Sequence, residues 1–142
     1  MTTRAILLPA AVLLGIAGCG GGDTSQSQAS PTPAERAAVA ELEYCFEGAG
    51  AFTAKPGRTI PEVGEVGAAP DVKNAKHMLV IGWPDTKHVA NAYYATSDAA
   101  AETAAGELPA KPLARKGPIL IAPDPDAPPS SDEALLASDC LP

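Results

Sequence analysis

Residues 76–83 (KHMLVIGW) and 88–96 (HVANAYYAT), separated by Pro84-Asp85-Thr86-Lys87, decide the fold of this chain. Both runs carry the β-branched and aromatic side chains that suit a pleated, half-buried surface, and the proline and aspartate between them favour a turn. They predict a β-hairpin. With Trp83 opposite His88, His77 lies opposite Tyr94, some six residues farther along the ladder and so roughly 20 Å from His88 at the rise of a strand. Tyr93 and Tyr94 must then point to opposite faces, so at most one of them shares a face with Trp83.

Upstream, Pro33 and Glu35 stand where a helix's first turn favours proline and negative charge. Val39, Leu42, Cys45 and Phe46 recur at helical spacing, which predicts a helix to Glu47 with Glu41, Glu43 and Glu47 turned outward. Gly48-Ala49-Gly50 reads as the helix end, because a phosphate-binding glycine loop follows a strand and this one follows a helix. Residues 51–55 suit a short strand, and 56–74 (PGRTIPEVGEVGAAPDVKN) a long surface connection.

Downstream, Ser97 caps a helix that runs to Glu107, with Asp98 in its first turn. Residues 117–122 (GPILIA) form a short strand that is apolar on both faces and therefore covered. After PDPDAPP, Ser130 or Ser131 caps a final helix to Leu141, with Leu135, Leu136 and Cys140 on its inner side. The fold class is α+β: a small two-layer sandwich with a mixed, mostly antiparallel sheet of about four strands, helices on one face, and the N- and C-terminal helices packed together. Strand, strand, helix, strand is partly a ferredoxin-like order, and that likeness of order carries no activity with it.

The N-terminus has a different character. Arg4 precedes the apolar run 5–17 (AILLPAAVLLGIA), which has the length of a signal peptide and is short for a permanent membrane span. The run ends in Ile16-Ala17-Gly18-Cys19, which resembles the lipobox of bacterial lipoproteins. The resemblance implies cleavage before Cys19, lipidation of its thiol, and anchoring of the mature chain to the cell membrane on its extracytoplasmic face. Two acyl chains anchor stably where one is marginal. The implied organisation is a signal peptide at 1–18, a lipidated flexible tether at 19–33 and a single domain at 34–142. The tether lacks any aliphatic or aromatic residue larger than alanine.

The chain carries a net charge of −7 with ten Lys+Arg and seventeen Asp+Glu. Because Arg4 is the only charged residue in 1–18, the mature part carries nine basic and seventeen acidic residues, or −8. That surface repels phosphate backbones and anionic headgroups. Nucleic acid is excluded as a partner, and membrane contact falls to the lipid.

Candidate chemistry is sparse. His77 and His88 are the only histidines, and the hairpin holds them too far apart to share a metal. Asp124 and Asp126 have the spacing that opens a calcium loop, but Pro128 and Pro129 follow and no glycine makes the sharp turn, so a solvated loop is expected. Neither a metal nor a cofactor is expected. The chain has no G-x-S-x-G elbow, Cys-x-x-Cys or Walker-type loop.

Three of six aromatic residues lie in the hairpin. Core packing is their first expectation, and a recognition surface of Trp83, His88 and Tyr94 the second. Once Cys19 carries lipid, Cys45 and Cys140 remain in an oxidising compartment, which predicts a disulfide between them. The function expected is a non-catalytic module that binds a ligand or an envelope protein. The alternative is a small extracytoplasmic hydrolase or metal-dependent enzyme using His77 or His88.

Overall fold

The computed structural model describes residues 30–142, and Pro31–Pro142 form one compact unit. Cys19 and the leader lie outside the described residues. Helix α1 (Pro33–Gly48) starts at Thr32, whose hydroxyl accepts from the Glu35 amide at 3.2 Å while the Thr32 amide donates to the Glu35 carboxylate at 2.6 Å. This reciprocal cap satisfies two amide donors that a helix start leaves over. Ala38, Leu42 and Phe46 form the buried stripe. At Gly50 φ is +87°, a conformation glycine adopts without strain, and the chain turns there into strand β1 (Phe52–Ala54).

Strands β2 (Ala75–Trp83) and β3 (His88–Ala95) form the expected hairpin, with Trp83 paired to His88. Farther along, the register slips at Met78: Leu79 pairs with Ala92, but His77 pairs with Tyr93 and not with Tyr94. One extra residue in β2 accounts for the change, and it moves His77 to the opposite side of the sheet from Leu79 and Ile81.

Helix α2 (Asp98–Glu107) is capped by Ser97, whose hydroxyl accepts from the Ala100 amide at 3.0 Å. Strands β4 (Ala114–Lys116) and β5 (Ile119–Pro123) follow, then α3 (Ser131–Asp139). The sheet has five strands in the order β1-β2-β3-β5-β4, antiparallel at every pairing. β4 is the strand beyond the expected four. Lys116 pairs with Ile119 across Gly117-Pro118, and Gly117 has φ +54°, the positive value tight hairpin turns require at their first central position.

The fold is α+β, with helices packed on the sheet. Leu79, Ile81, Trp83, Ala90, Ala92, Ile119 and Ile121 meet Leu42 and Phe46 of α1, with Ala137 and Cys140 of the C-terminal segment. Phe46 stands edge-on to Trp83 with ring centroids 6.0 Å apart. On the other face, Tyr93, Leu120 and Ala122 meet Ala104 of α2 and Val72, and Val80 and Val89 meet Ile60 and Val63 of the 56–74 connection. Helix α2 thus covers the face opposite α1 and α3, where the sequence reading put all helices on one face. Leu135, expected inward, is 65% exposed. The inward phase of α3 runs instead through Glu133, Ala137 and Cys140.

Cys45 and Cys140 are disulfide-bonded, with Cα atoms 5.5 Å apart and a sequence separation of 95. A loop of that length removes denatured-state entropy worth at most about 4 to 5 kcal/mol. Reduction is expected to destabilise the protein by about 3 kcal/mol and to lower Tm by more than about 10 °C. Differential scanning calorimetry with and without reductant checks this, alongside thiol labelling of the unfolded, unreduced chain. Free Cys45 and Cys140 thiols, or an unchanged Tm on reduction, would contradict it.

Candidate functional site

Glu133 enters the core side of α3 at the third helical position, where its carboxylate closes the Ser130 cap: Ser130 N donates to Oε2 at 2.7 Å. The same carboxylate reaches the β2–β3 turn. Oε1 accepts from the Thr86 hydroxyl at 2.6 Å, and Oε2 lies 2.6 Å from His88 Nδ1. The Glu133 side chain is 11% exposed and His88 31%. Burial alone would raise the Glu133 pKa, but hydrogen bonds from Thr86, Ser130 and His88 outweigh it and hold the carboxyl below its ordinary value. The arrangement ties the hairpin turn to the start of α3. Nothing in the local sequence pairs His88 with a carboxylate 45 residues away.

The three residues read as a recognition surface are not brought together. Trp83 is 7% exposed and packs on Phe46, which makes it core. His88 is held by Glu133. Tyr94 shares the α1 side of the sheet with Trp83 but stands toward the opposite end of the hairpin, paired with Lys76.

Half-buried Tyr94 does line a groove of about 440 Å³ between the first turns of α1 and the β4–β5 turn. Ala34, Ala37, Ala38 and Ile119 give the groove an apolar lining, Glu41 and Lys116 supply one charge of each sign, and Pro142 borders it. An apolar trough with a few polar groups is the usual form of a binding site. Its α1 wall is mostly alanine, which gives no signal in sequence.

On the opposite face a second cluster forms beneath the 56–74 connection. His77 packs on Tyr93 with ring centroids 5.1 Å apart, and the Tyr93 hydroxyl donates to the Pro70 carbonyl at 2.6 Å. Burial lowers the His77 pKa, with the Leu79 backbone and the Asn91 side chain acting the other way. Burial raises that of Tyr93, helped by the charges of Asp71 and Asp124. Asn91 is fully buried and acts on the imidazole only through a loose contact: neither its side-chain polar atoms nor His77 Nε2 forms a hydrogen bond of ordinary geometry. His77 and His88 sit at opposite ends of the β2–β3 ladder. No three His, Cys, Asp or Glu side chains among the described residues converge as a metal-binding group.

Comparison with protein-family models, with curated proteins and with solved structures finds no match.

A carboxyl whose folded pKa is lowered contributes stability above its unfolded value, near 4.5, and loses that contribution as pH falls through the folded value. Glu133→Gln is therefore expected to cost about 1 to 3 kcal/mol at neutral pH, and the gap from the native chain is expected to close as the medium is acidified below 4.5. Thermal melts of both proteins across pH 3 to 8 check this; a gap that stays constant through the acid range would show that the Glu133 charge is not what matters.

Proposed function

We propose that this chain is an exported lipoprotein, cleaved before Cys19, lipidated on that thiol and held at the cell membrane on its extracytoplasmic face. Its folded unit serves there as a non-catalytic module that binds an envelope protein or another ligand. The observation that carries the reading is the Cys45–Cys140 disulfide. Such bonds persist outside the reducing cytoplasm, and this one uses both cysteines of the folded unit, which leaves Cys19 for the lipid. No helix among the described residues is long and apolar enough to cross a membrane, so in this reading attachment rests on the acyl chains. The groove at Tyr94 supports a binding role.

The second reading is a small hydrolase or metal-dependent enzyme using His77 or His88, and the His88–Glu133 contact favours it. A histidine and the carboxylate that orients it are two of the three members of a catalytic triad. Two features weigh against it. Glu133 already accepts from Thr86 and Ser130, as expected of a structural tie, and His88 lies outside the groove.

Replacing Cys19 by Ala is expected to leave the protein uncleaved or released from the membrane fraction, as read by mass spectrometry of the native N-terminus and by fractionation. Processing after residue 18 with continued membrane retention would end the lipoprotein reading. For the binding role, a photo-crosslinking residue at Ala37, exposed in the groove, is expected to give a discrete adduct in native membranes. The same residue at Tyr44, 86% exposed and outside the groove, is expected to give none. Equal labelling from both positions would remove the groove from the proposal.

A further inference from the structure

We propose that Asp124 and Asp126 form a weak calcium site beside Gly67 of the 56–74 connection. The residues alone support it, independently of the lipoprotein reading. Asp124 follows β5 and is 1% exposed. Its Oδ1 accepts from the Asp126 amide at 2.9 Å and from the Ala127 amide at 3.2 Å, which fixes the carboxylate in a tight local turn. Its Oδ2 is buried and has no hydrogen-bond partner.

That oxygen faces Gly67. A β-carbon on Gly67 would lie 4.0 Å from Asp124 Oδ2 and 3.2 Å from Asp126 Oδ2, so both carboxylate oxygens border the space beside this glycine. Neither carboxylate has a lysine or arginine partner within ion-pair distance among the described residues. A buried anionic oxygen without donor or counter-charge is costly, and a cation between the two carboxylates removes the cost.

The donors select the ion. Both are carboxylate oxygens, and no histidine or cysteine joins them in a metal-binding group, so a hard cation fits and zinc does not. With only two carboxylates, backbone oxygens and water must complete the shell, as in extracellular calcium modules with dissociation constants of roughly 0.1 to 1 mM. The aspartate pair does not match a contiguous calcium loop because its third wall, Gly67, comes from a distant segment.

The test uses the full-length chain, purified in detergent and freed of metal with EDTA, and measures Tm and calorimetric heats during CaCl2 titration. Calcium at about 10 mM is expected to raise Tm by about 5 °C, by linkage of binding to folding. Asp126→Ala removes an exposed side chain and should leave the EDTA-state Tm unchanged while abolishing the calcium shift. Gly67→Ala, whose methyl group would crowd Asp126 Oδ2 at 3.2 Å, is expected to weaken calcium binding at least tenfold. The proposal is overturned if the native chain shows no shift, if MgCl2 or ionic-strength-matched NaCl reproduces it, or if Asp126→Ala retains it.

Discussion

Along β3 the side chains alternate between the two faces of the sheet, and Val89, Ala90, Asn91, Ala92 and Tyr93 are all buried. So are all five residues of β5. Neither face of the central strands can be left to water, and a chain this short has to use nearly every other segment as cover. The face under α1 and α3 takes the two terminal helices. The other takes α2 and the 56–74 connection, which is therefore a wall of the core and not an excursion from it. Ile60, Val63 and Val72 are buried there. The close seating depends on Gly82 in β2, where a β-carbon would come within 2.5 Å of Val63 Cγ2, and on the Tyr93 hydroxyl that holds the Pro70 carbonyl.

Closing the helical face joins opposite ends of the chain, and α3 is the weak member. Nine residues are too few for a helix to persist by itself in water, so its order has to come from tertiary ties. It has one at each end. Glu133 fastens the first turn to Thr86 and His88, and Cys140, just past the last turn, is bonded to Cys45 of α1. The first tie depends on a carboxylate staying charged and the second on a thiol pair staying oxidised. Acid and reductant therefore attack the same helix from opposite ends.

The parts of this fold that could be read from the sequence are those set by local pattern. The Pro-Asp turn announced the hairpin and its Trp83–His88 pairing, a four-residue stripe announced α1, and serines announced the caps of α2 and α3. Cysteine parity pointed to the Cys45–Cys140 bond. What stayed hidden depends on partners distant in sequence. A bulge at Met78 carries His77 to the far face, and no residue in KHMLVIGW marks it. Leu135 looked like core by hydrophobicity, but the helix phase set by Glu133 and Cys140 turns it to water. Trp83 was open between core and recognition until Phe46 was seen against it. The groove at Tyr94 was not legible because alanines on a helix look the same whether they line a groove or face solvent.

The polar content of the face beneath the 56–74 connection is harder to account for by folding alone. His77, Asn91 and Asp124 each place a buried polar atom there without a hydrogen-bond partner, at a cost of about 1 to 3 kcal/mol apiece. Aliphatic residues at Asn91 and His77 would suit a strand better and would remove the penalty. The helical face, of equal structural importance, is built from leucine, isoleucine, alanine and aromatic rings. The one buried charge on the helical face among the described residues, Glu133, has its hydrogen bonds met by Thr86, Ser130 and His88, whereas those three residues on the other face keep polar atoms without such partners. The difference lies in what covers each face: two helices on one side, and on the other α2 together with a glycine- and proline-rich strap whose Pro70 carbonyl takes its hydrogen bond from the Tyr93 hydroxyl. Stability is given up at that seam, and it is there that a bound ion or a polar ligand gains most by arriving.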